Sequence, residues 1–165
     1  MAHYFLFPEK DTTIYSHPDR NELNAGIDEV LTIADEDKDG KKYSSRILIQ
    51  FKTDEIVNTL NTKVVGEFSA SLNLYATEHS NLAINQIIEV YPLAESWDNG
   101  TGRRANNPIT SNGCSWKFRN NDTEQTAWTI SGILGATSSF SSSHQVAGGG
   151  IWYTGSGFET SRSYN

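Results

Sequence analysis

Cysteine is nearly absent from this 165-residue sequence, and long apolar stretches are missing altogether. Cys114 stands alone, so no internal disulfide can form, and we interpret it as a small half-buried apolar residue rather than a reactive thiol. No stretch approaches the roughly 20 apolar residues that span a bilayer, which predicts no membrane partner. The first residues lack the basic region and the apolar length of a signal peptide, so we expect a protein made in the cytoplasm without one.

Positive charge is also scarce. Lys and Arg together number 13 against 20 Asp and Glu, which gives a net charge of −7 and a pI of about 5.0. Nucleic-acid binding draws most of its affinity from clustered Lys and Arg. Arg103-Arg104 is the only basic pair outside mixed-charge loops, so we predict no nucleic-acid partner.

The sequence lacks the common patterns of a catalytic or zinc site. The G-x-S-x-G turn of a strained serine nucleophile does not occur, and the four histidines are too far apart in sequence to predict a zinc site. Glu95 and Asp98, two carboxylates beside an aromatic residue, are the minimum set that a glycosidase pair requires. A loop-capping role is the favoured interpretation of both. We therefore predict no catalytic residues and no cofactor.

One acidic motif resembles a metal-binding loop. Asp35-x-Asp37-x-Asp39-Gly40 copies the first half of an EF-hand, but the twelfth position, where a bidentate glutamate is needed, is Arg46. Acidic residues with glycine are also ordinary turn residues between strands. A hairpin turn is the prediction, no metal site is assigned, and a weak surface cation at the three aspartates is the alternative.

The sequence does contain strand-like periodicity. Apolar residues in 68–76 alternate strictly with polar ones, which predicts a half-buried strand whose antiparallel neighbour is 86–93. The near-continuous apolar run 46–51 predicts a central strand buried on both faces. Acidic residues followed by apolar ones at helical spacing predict a short helix over 54–60, with Thr53 as its N-cap. Further short strands are predicted at 3–7, 12–15, 27–33, 115–118 and 126–130.

These elements predict an all-β fold, an antiparallel sandwich of jelly-roll type with one short helix. The sandwich domain would cover residues 1–130, and residues 131–165 would form a Ser- and Gly-rich extension. The extension has no sustained strand pattern that could close a second sheet. It would therefore pack over the sheets or on neighbouring subunits, or the closing strands would come from residues beyond this sequence or from a neighbouring copy.

The most distinctive segment is 91–102, in which an apolar strand pattern leads into an acidic, glycine-rich loop around Trp97. A large indole at this place is expected to lie buried under the loop, and Asn99-Gly100 is expected to allow a tight reversal. Trp97 and Trp128 are predicted to lie in the core. Trp116 and Trp152 are left open between a core position and an exposed, sugar-stacking one.

Three segments of the chain, taken in order, resemble the DNRLRE family. They are Asn24-Ala25-Gly26 with the acids that follow it, the strand at 44–51, and the Ser-Trp-Asp of 95–100. The family pattern runs "N-x-G", "S-R-x-L-L-x-F-D", a strand pair, then "S-W-D-E-G/S"; this chain has Lys52 and Asn99 where that pattern has acids. The similarity runs from Asp11 to about Trp128 and lacks the family's later "D-V-T-x-x-V-x-x-W" stretch. The chain thus looks like the front portion of such a module.

The resemblance implies a β-jelly-roll module in one of two settings. One is secreted proteins associated with polysaccharides, and the other is virion proteins of large tailed phages. The missing export signal favours the second, so we predict a non-enzymatic virion structural protein whose partners are other virion proteins and copies of itself. A carbohydrate-binding module for a polysaccharide or a host cell-surface glycan is the alternative, and a polysaccharide-cleaving enzyme is a distant third.

Overall fold

A computed structural model describes residues 3–77, 88–90, 93, 95–128, 149 and 163–164, with residues 89, 163 and 164 described by their backbone alone. Within these residues, the chain forms antiparallel sheets and a short helix, as predicted for an all-β fold. The elements are β1 Pro8–Tyr15, β2 Asp35–Lys38, β3 Lys41–Phe51, α1 Thr53–Lys63, β4 Ile88–Glu89, β5 Phe118–Asn121, β6 Gln125–Ala127 and β7 Ser163–Tyr164. The strands pair in the orders β1-β3-β2, β4-β7 and β5-β6.

The largest of these sheets is centred on β3, which pairs with β1 on one side and β2 on the other. The central position predicted for 46–51 is therefore confirmed. Burial on both faces was wrong, because only Leu48 of that run is buried and its neighbours are half-exposed.

The acidic motif forms the hairpin that joins β2 to β3. Lys38 lies opposite Lys41, which leaves Asp39 and Gly40 as a two-residue turn. Their φ angles are 54° and 72°. A turn with positive φ at both central positions matches the right-handed twist of the flanking strands, and Asp-Gly is one of the pairs that adopts it most readily.

Consecutive residues of β1 contribute to two different hydrophobic clusters. Ile14 packs in what we call the tryptophan cluster, whose buried members are Ile14, Leu48, Trp97, Cys114, Trp116 and Trp128. Tyr15 packs with Leu23 and Ala25 in a second cluster. Successive side chains of a strand point to opposite faces, so β1 is covered on both sides at this end. The core positions predicted for Trp97 and Trp128 are confirmed.

Two predicted strands, 3–7 and 27–33, were wrong. Residues 3–7 lie outside the described sheets, and Pro8 begins β1 instead of ending a strand, since proline is tolerated at a strand's first position. The segment around Thr32 is held by side chains in place of a strand ladder. Thr13 Oγ1 accepts a hydrogen bond from Thr32 N (2.9 Å), and Ser45 Oγ donates to Thr32 O (2.7 Å).

The predicted helix is confirmed and extends to Lys63, but its predicted N-cap was wrong. Lys52 occupies that position without a side-chain hydrogen bond. Asp54 and Glu55 in the first turn and Lys63 in the last complement the helix dipole. The helix has no buried residue, so packing on the core contributes little to it.

The predicted strand over 68–76 was also wrong. Residues 68–76 form no strand, and they are exposed. Of its predicted neighbour, Ile88 and Glu89 instead pair with β7, while 86, 87, 91 and 92 lie outside the described residues. The predicted strands at 115–118 and 126–130 correspond to the shifted elements β5 and β6. Most of the predicted extension, including Trp152, lies outside the described residues.

Candidate functional site

The most highly organised part of the described chain is a meeting of three loops, 24–27, 98–102 and 110–114, which we call the loop junction. Its centre is the fully buried Asn24. Asn24 Nδ2 donates to the carbonyl oxygens of Asn99 (2.7 Å) and Cys114 (2.8 Å). Its Oδ1 accepts from the backbone N–H of Gly26 (3.1 Å) and Gly102 (2.8 Å). Two amide protons and two lone pairs are the full capacity of the side chain, so this one residue joins loops from distant parts of the chain.

Further hydrogen bonds close the junction around Asn24. The Asn24 N–H donates to Thr110 O (2.8 Å), and Asn99 Nδ2 donates to Gly26 O (2.6 Å). Cys114 N donates to Asp98 O at 2.7 Å. The backbone of each loop is thus tied to the next, although the buried Asn99 Oδ1 has no hydrogen-bond partner among the described residues.

Glycine is required where the loops approach most closely. A Cβ atom on Gly26 would collide with the backbone of Asn99, and one on Gly100 would collide with Asn112 O and the Asn24 side chain. Gly100 also has a φ of 75°, which L residues with side chains rarely adopt. The glycines of this loop therefore serve close backbone packing in addition to the reversal predicted from the sequence.

Beneath the junction lie three tryptophans of the tryptophan cluster. Trp97, Trp116 and Trp128 are all buried, and Trp128 Nε1 donates to Ser115 O at 2.8 Å. Trp116, which the sequence left open, is therefore a core residue. None of these three rings presents an exposed face on which a sugar could stack.

Two cations lie over these rings. Lys10 Nζ is 4.5 Å from the centroid of Trp97 and donates to that residue's carbonyl oxygen. Arg46 Cζ is 4.7 Å from the Trp116 ring, and Arg46 Nη1 donates to Gly149 O at 2.6 Å. Burial lowers the pKa of Arg46 to about 10, which still leaves the guanidinium protonated at neutral pH. Both cations thus help to hold the cluster in place.

The single thiol is unsuited to nucleophilic chemistry. Cys114 is fully buried beneath the junction, and burial raises its pKa to about 12 against a weaker opposing effect of Lys10. The thiolate is the nucleophile and the metal ligand, so at neutral pH this residue acts as a small apolar side chain. The position of Cys114 among apolar side chains agrees with the sequence-based interpretation, but the expected half-burial was wrong, because the residue is fully buried.

The carboxylates singled out from the sequence lie in two separate places. Glu95 and Asp98 flank Trp97, with Glu95 half-buried and Asp98 exposed, and the backbone of Asp98 belongs to the junction. Asp35, Asp37 and Asp39 are exposed on the β2–β3 hairpin. Among the described residues, no group of three or more His, Cys, Asp or Glu side chains converges in a way that could hold a metal ion.

The basic pair noted in the sequence lies beside the junction. Arg103 Nη1 contacts Glu29 Oε1 at 3.3 Å, and Arg104 Cζ lies 5.7 Å from the ring centroid of Tyr15. Arg20 lies over the same ring at 5.9 Å. These arginines are therefore engaged with neighbours on their own chain.

Sequence reasoning did not identify Asn24 as the centre of the junction. Each of the three loops carries a local signal, since Asn is followed by Gly at 24–26, 99–100 and 112–113. Such residues predict turns, but nothing local indicates that loops 75 and 90 residues after Asn24 bond to its side chain.

No protein-family model, curated protein or solved structure matches this chain. The resemblance to the DNRLRE family therefore stays a prediction. Of the described helices, none has the length and apolar character needed to cross a membrane.

Proposed function

We propose that this chain is a non-enzymatic structural protein that acts through protein–protein contacts as a subunit of a larger assembly. The observation that carries the proposal is a set of exposed apolar side chains on two segments that leave the same end of the β1–β3 pair. The virion of a tailed phage is the setting that the family resemblance implies, with other virion proteins and copies of itself as partners.

We call this end of the molecule the open end and define it as residues 3–7 together with residues 53–77. Pro8 lies opposite Phe51, so both segments leave the sheet at the same place. Phe5, Phe7 and Val65 are 78%, 77% and 98% exposed. Large exposed apolar patches on soluble proteins commonly mark interaction sites, which supports a role in assembly.

The opposite end of the β1–β3 pair, near Tyr15 and Ser45, has a different character. There the chain enters the loops that Asn24 ties to 98–102 and 110–114. A rigid loop junction at one end and exposed apolar segments at the other suit a subunit whose fold stays unchanged when it binds a neighbouring subunit. We include in the proposal that the sheets form a jelly-roll-like sandwich, with residues 131–165 packing on it or on neighbouring subunits.

The setting is tested by protein mass spectrometry of virions purified from cells that express this chain. We expect the chain in the particles at a fixed ratio to the other virion proteins. Abundance in the infected cells with absence from the particles would overturn the virion setting.

The role of the open end is tested with the double variant Phe5→Ser/Phe7→Ser. We expect less incorporation into particles because the variant removes two exposed aromatic rings without changing the core. Ile109→Ser is the matched control, since Ile109 is exposed but lies outside the open end. Equal incorporation of both variants into particles would show that the open end does not contribute to assembly.

Carbohydrate binding remains the alternative prediction, but Trp97, Trp116 and Trp128 are buried and do not offer their rings for sugar stacking. Affinity electrophoresis through gels that contain a defined polysaccharide would detect it. Clear retardation by one glycan and not by others would support a binding module in place of a purely structural subunit.

A further inference from the structure

Segment 68–76, with the sequence FSASLNLYA, combines a strand-like pattern with an exposed position. Its apolar residues Phe68, Ala70, Leu72, Leu74 and Ala76 alternate with polar ones, yet no described residue pairs with it in a sheet. Phe68 is 62% exposed and Tyr75 is 90% exposed. A segment with this alternation is most stable when its backbone is paired in a sheet and its apolar face is covered.

We propose that segment 68–76 pairs antiparallel with the same segment of a second copy of this chain, with Leu72 on the two-fold axis between them. The inference rests on the proposed function and deepens it by naming one of the partners. Segment 68–76 belongs to the open end and would act there as the strand that binds the second copy.

The argument for a second copy is the self-complementary order of side-chain sizes. In an antiparallel pair centred on Leu72, Phe68 lies opposite Ala76 and Leu74 lies opposite Ala70. On the other face, large Tyr75 lies opposite small Ser69. Apolar residues thus face apolar ones and polar residues face polar ones. A large residue meets a smaller one in each of these three pairs, while Leu72 meets its own copy on the axis, and an interface that uses the same patch on both partners requires such a self-complementary arrangement.

The distribution of charge also favours a second copy. The chain carries a net charge of −7, so most contacts between two copies would bring acidic residues together. Segment 68–76 carries no charged side chain. In the proposed register, Glu67 lies opposite Thr77, so this glutamate faces no acidic residue across the pair. Like charges directly opposite each other would destabilise it.

The size of the contact determines its strength. Nine residues at about 3.4 Å each span roughly 30 Å, and an edge about 10 Å deep gives on the order of 300 Å² per copy. A stable interface buries about 800 Å² per partner. We therefore expect a dimer that dissociates on dilution and is favoured by the high local concentration within an assembly.

The test places a cysteine on the proposed axis. In Leu72→Cys, the two new thiols face each other, with Cβ atoms about 5 Å apart. A bifunctional thiol reagent of similar span should then join two copies. Cys114 is buried, so the native thiol does not compete. The variant changes an exposed residue, and unchanged tryptophan fluorescence verifies that it is folded.

Matched controls test the register. In Ala70→Cys or Leu74→Cys alone, the thiols of two copies lie about 14 Å apart, since four residues separate them along the strand. Each alone should give little cross-linking, whereas a mixture of the two should cross-link because residue 70 faces residue 74. A further variant, Leu72→Lys, should reduce the dimer seen by sedimentation.

The outcomes separate this inference from the proposed function. Efficient cross-linking of Leu72→Cys and of the mixture, with little in either control alone, supports the two-fold strand pair. Equal cross-linking of all three single variants, or of none, overturns it. If the chain is then still found in virions, the structural role stands without this contact. If it is absent from virions while the pair forms, the self-association stands and the virion setting fails.

Discussion

Replacing Asn24 with alanine tests the loop junction most directly. The substitution removes all four side-chain hydrogen bonds and leaves their backbone partners in place. The carbonyl oxygens of Asn99 and Cys114 lose their amide donor, and the N–H groups of Gly26 and Gly102 lose their acceptor. None of the four can turn toward solvent without opening the loops.

The magnitude follows from the number of groups left without a partner. A buried polar group without a hydrogen bond costs about 1–3 kcal/mol. Four such groups at the lower limit destabilise the protein by about 4 kcal/mol, since water entering the space left by the amide satisfies some of them. Domains of this kind are stable by roughly 5–15 kcal/mol, so Asn24→Ala removes a large part of the free energy of unfolding.

Urea denaturation followed by tryptophan fluorescence measures this effect, because the buried indoles report on the core directly. With an m value of about 2 kcal/mol/M, the expected loss lowers the midpoint by roughly 2 M urea. Asn112→Ala is the matched control, since its two hydrogen bonds with Thr101 are exposed and its loss should be about 1 kcal/mol or less. If both variants lose the same small amount, the junction does not hold the loops together.

Two further predictions concern the thiol and the glycines. Burial raises the pKa of Cys114 to about 12 in the folded protein, whereas the ordinary pKa of a thiol, as in the unfolded chain, is 9.0. The contribution of Cys114 to stability should therefore be constant below pH 9 and fall as pH rises from 9 toward 12, by up to about 1.4 kcal/mol per pH unit. Cys114→Ala should lack this component, and parallel pH profiles of unfolding free energy for the two proteins would contradict the prediction. Gly100→Ala should destabilise by more than about 2 kcal/mol because its Cβ meets backbone, whereas Gly66→Ala, also at positive φ but with nothing nearby, should lose about 1–2 kcal/mol. Thermal melts compare the two, and equal losses would show that steric collision at Gly100 is unimportant.

Local patterns predicted those elements whose stabilising contacts lie close in sequence. The Asp39-Gly40 hairpin and α1 follow from turn preferences and from charge at helix ends. Period-two alternation predicted a strand at 68–76. Such alternation indicates which side chains would lie on the buried face of a strand, but it does not indicate which other strand pairs with it. Among the described residues no partner strand is present, so the segment stays unpaired.

The loop junction could not be predicted because its contacts join residues far apart in sequence. Asn24 is a common turn residue by composition, and its burial depends on Gly102 and Cys114, which lie 78 and 90 residues later. Only part of the tryptophan cluster could be predicted, for a similar reason. Ring size indicated a core position for Trp97 and Trp128, but Trp116 required knowing where Arg46 and Gly149 lie.

The span of the Asn24 hydrogen bonds also bears on synthesis of the chain. The strands β1, β2 and β3 leave the ribosome well before residues 99–114, so Asn24 of the nascent chain has none of its long-range partners when β1 and β3 first pair. Contacts that close such long loops are slow to form. We therefore expect the fold to be completed only after the last of the three loops has been synthesised. N-terminal fragments that end before residue 98 should form the β1-β3-β2 sheet without the hydrogen bonds of the loop junction.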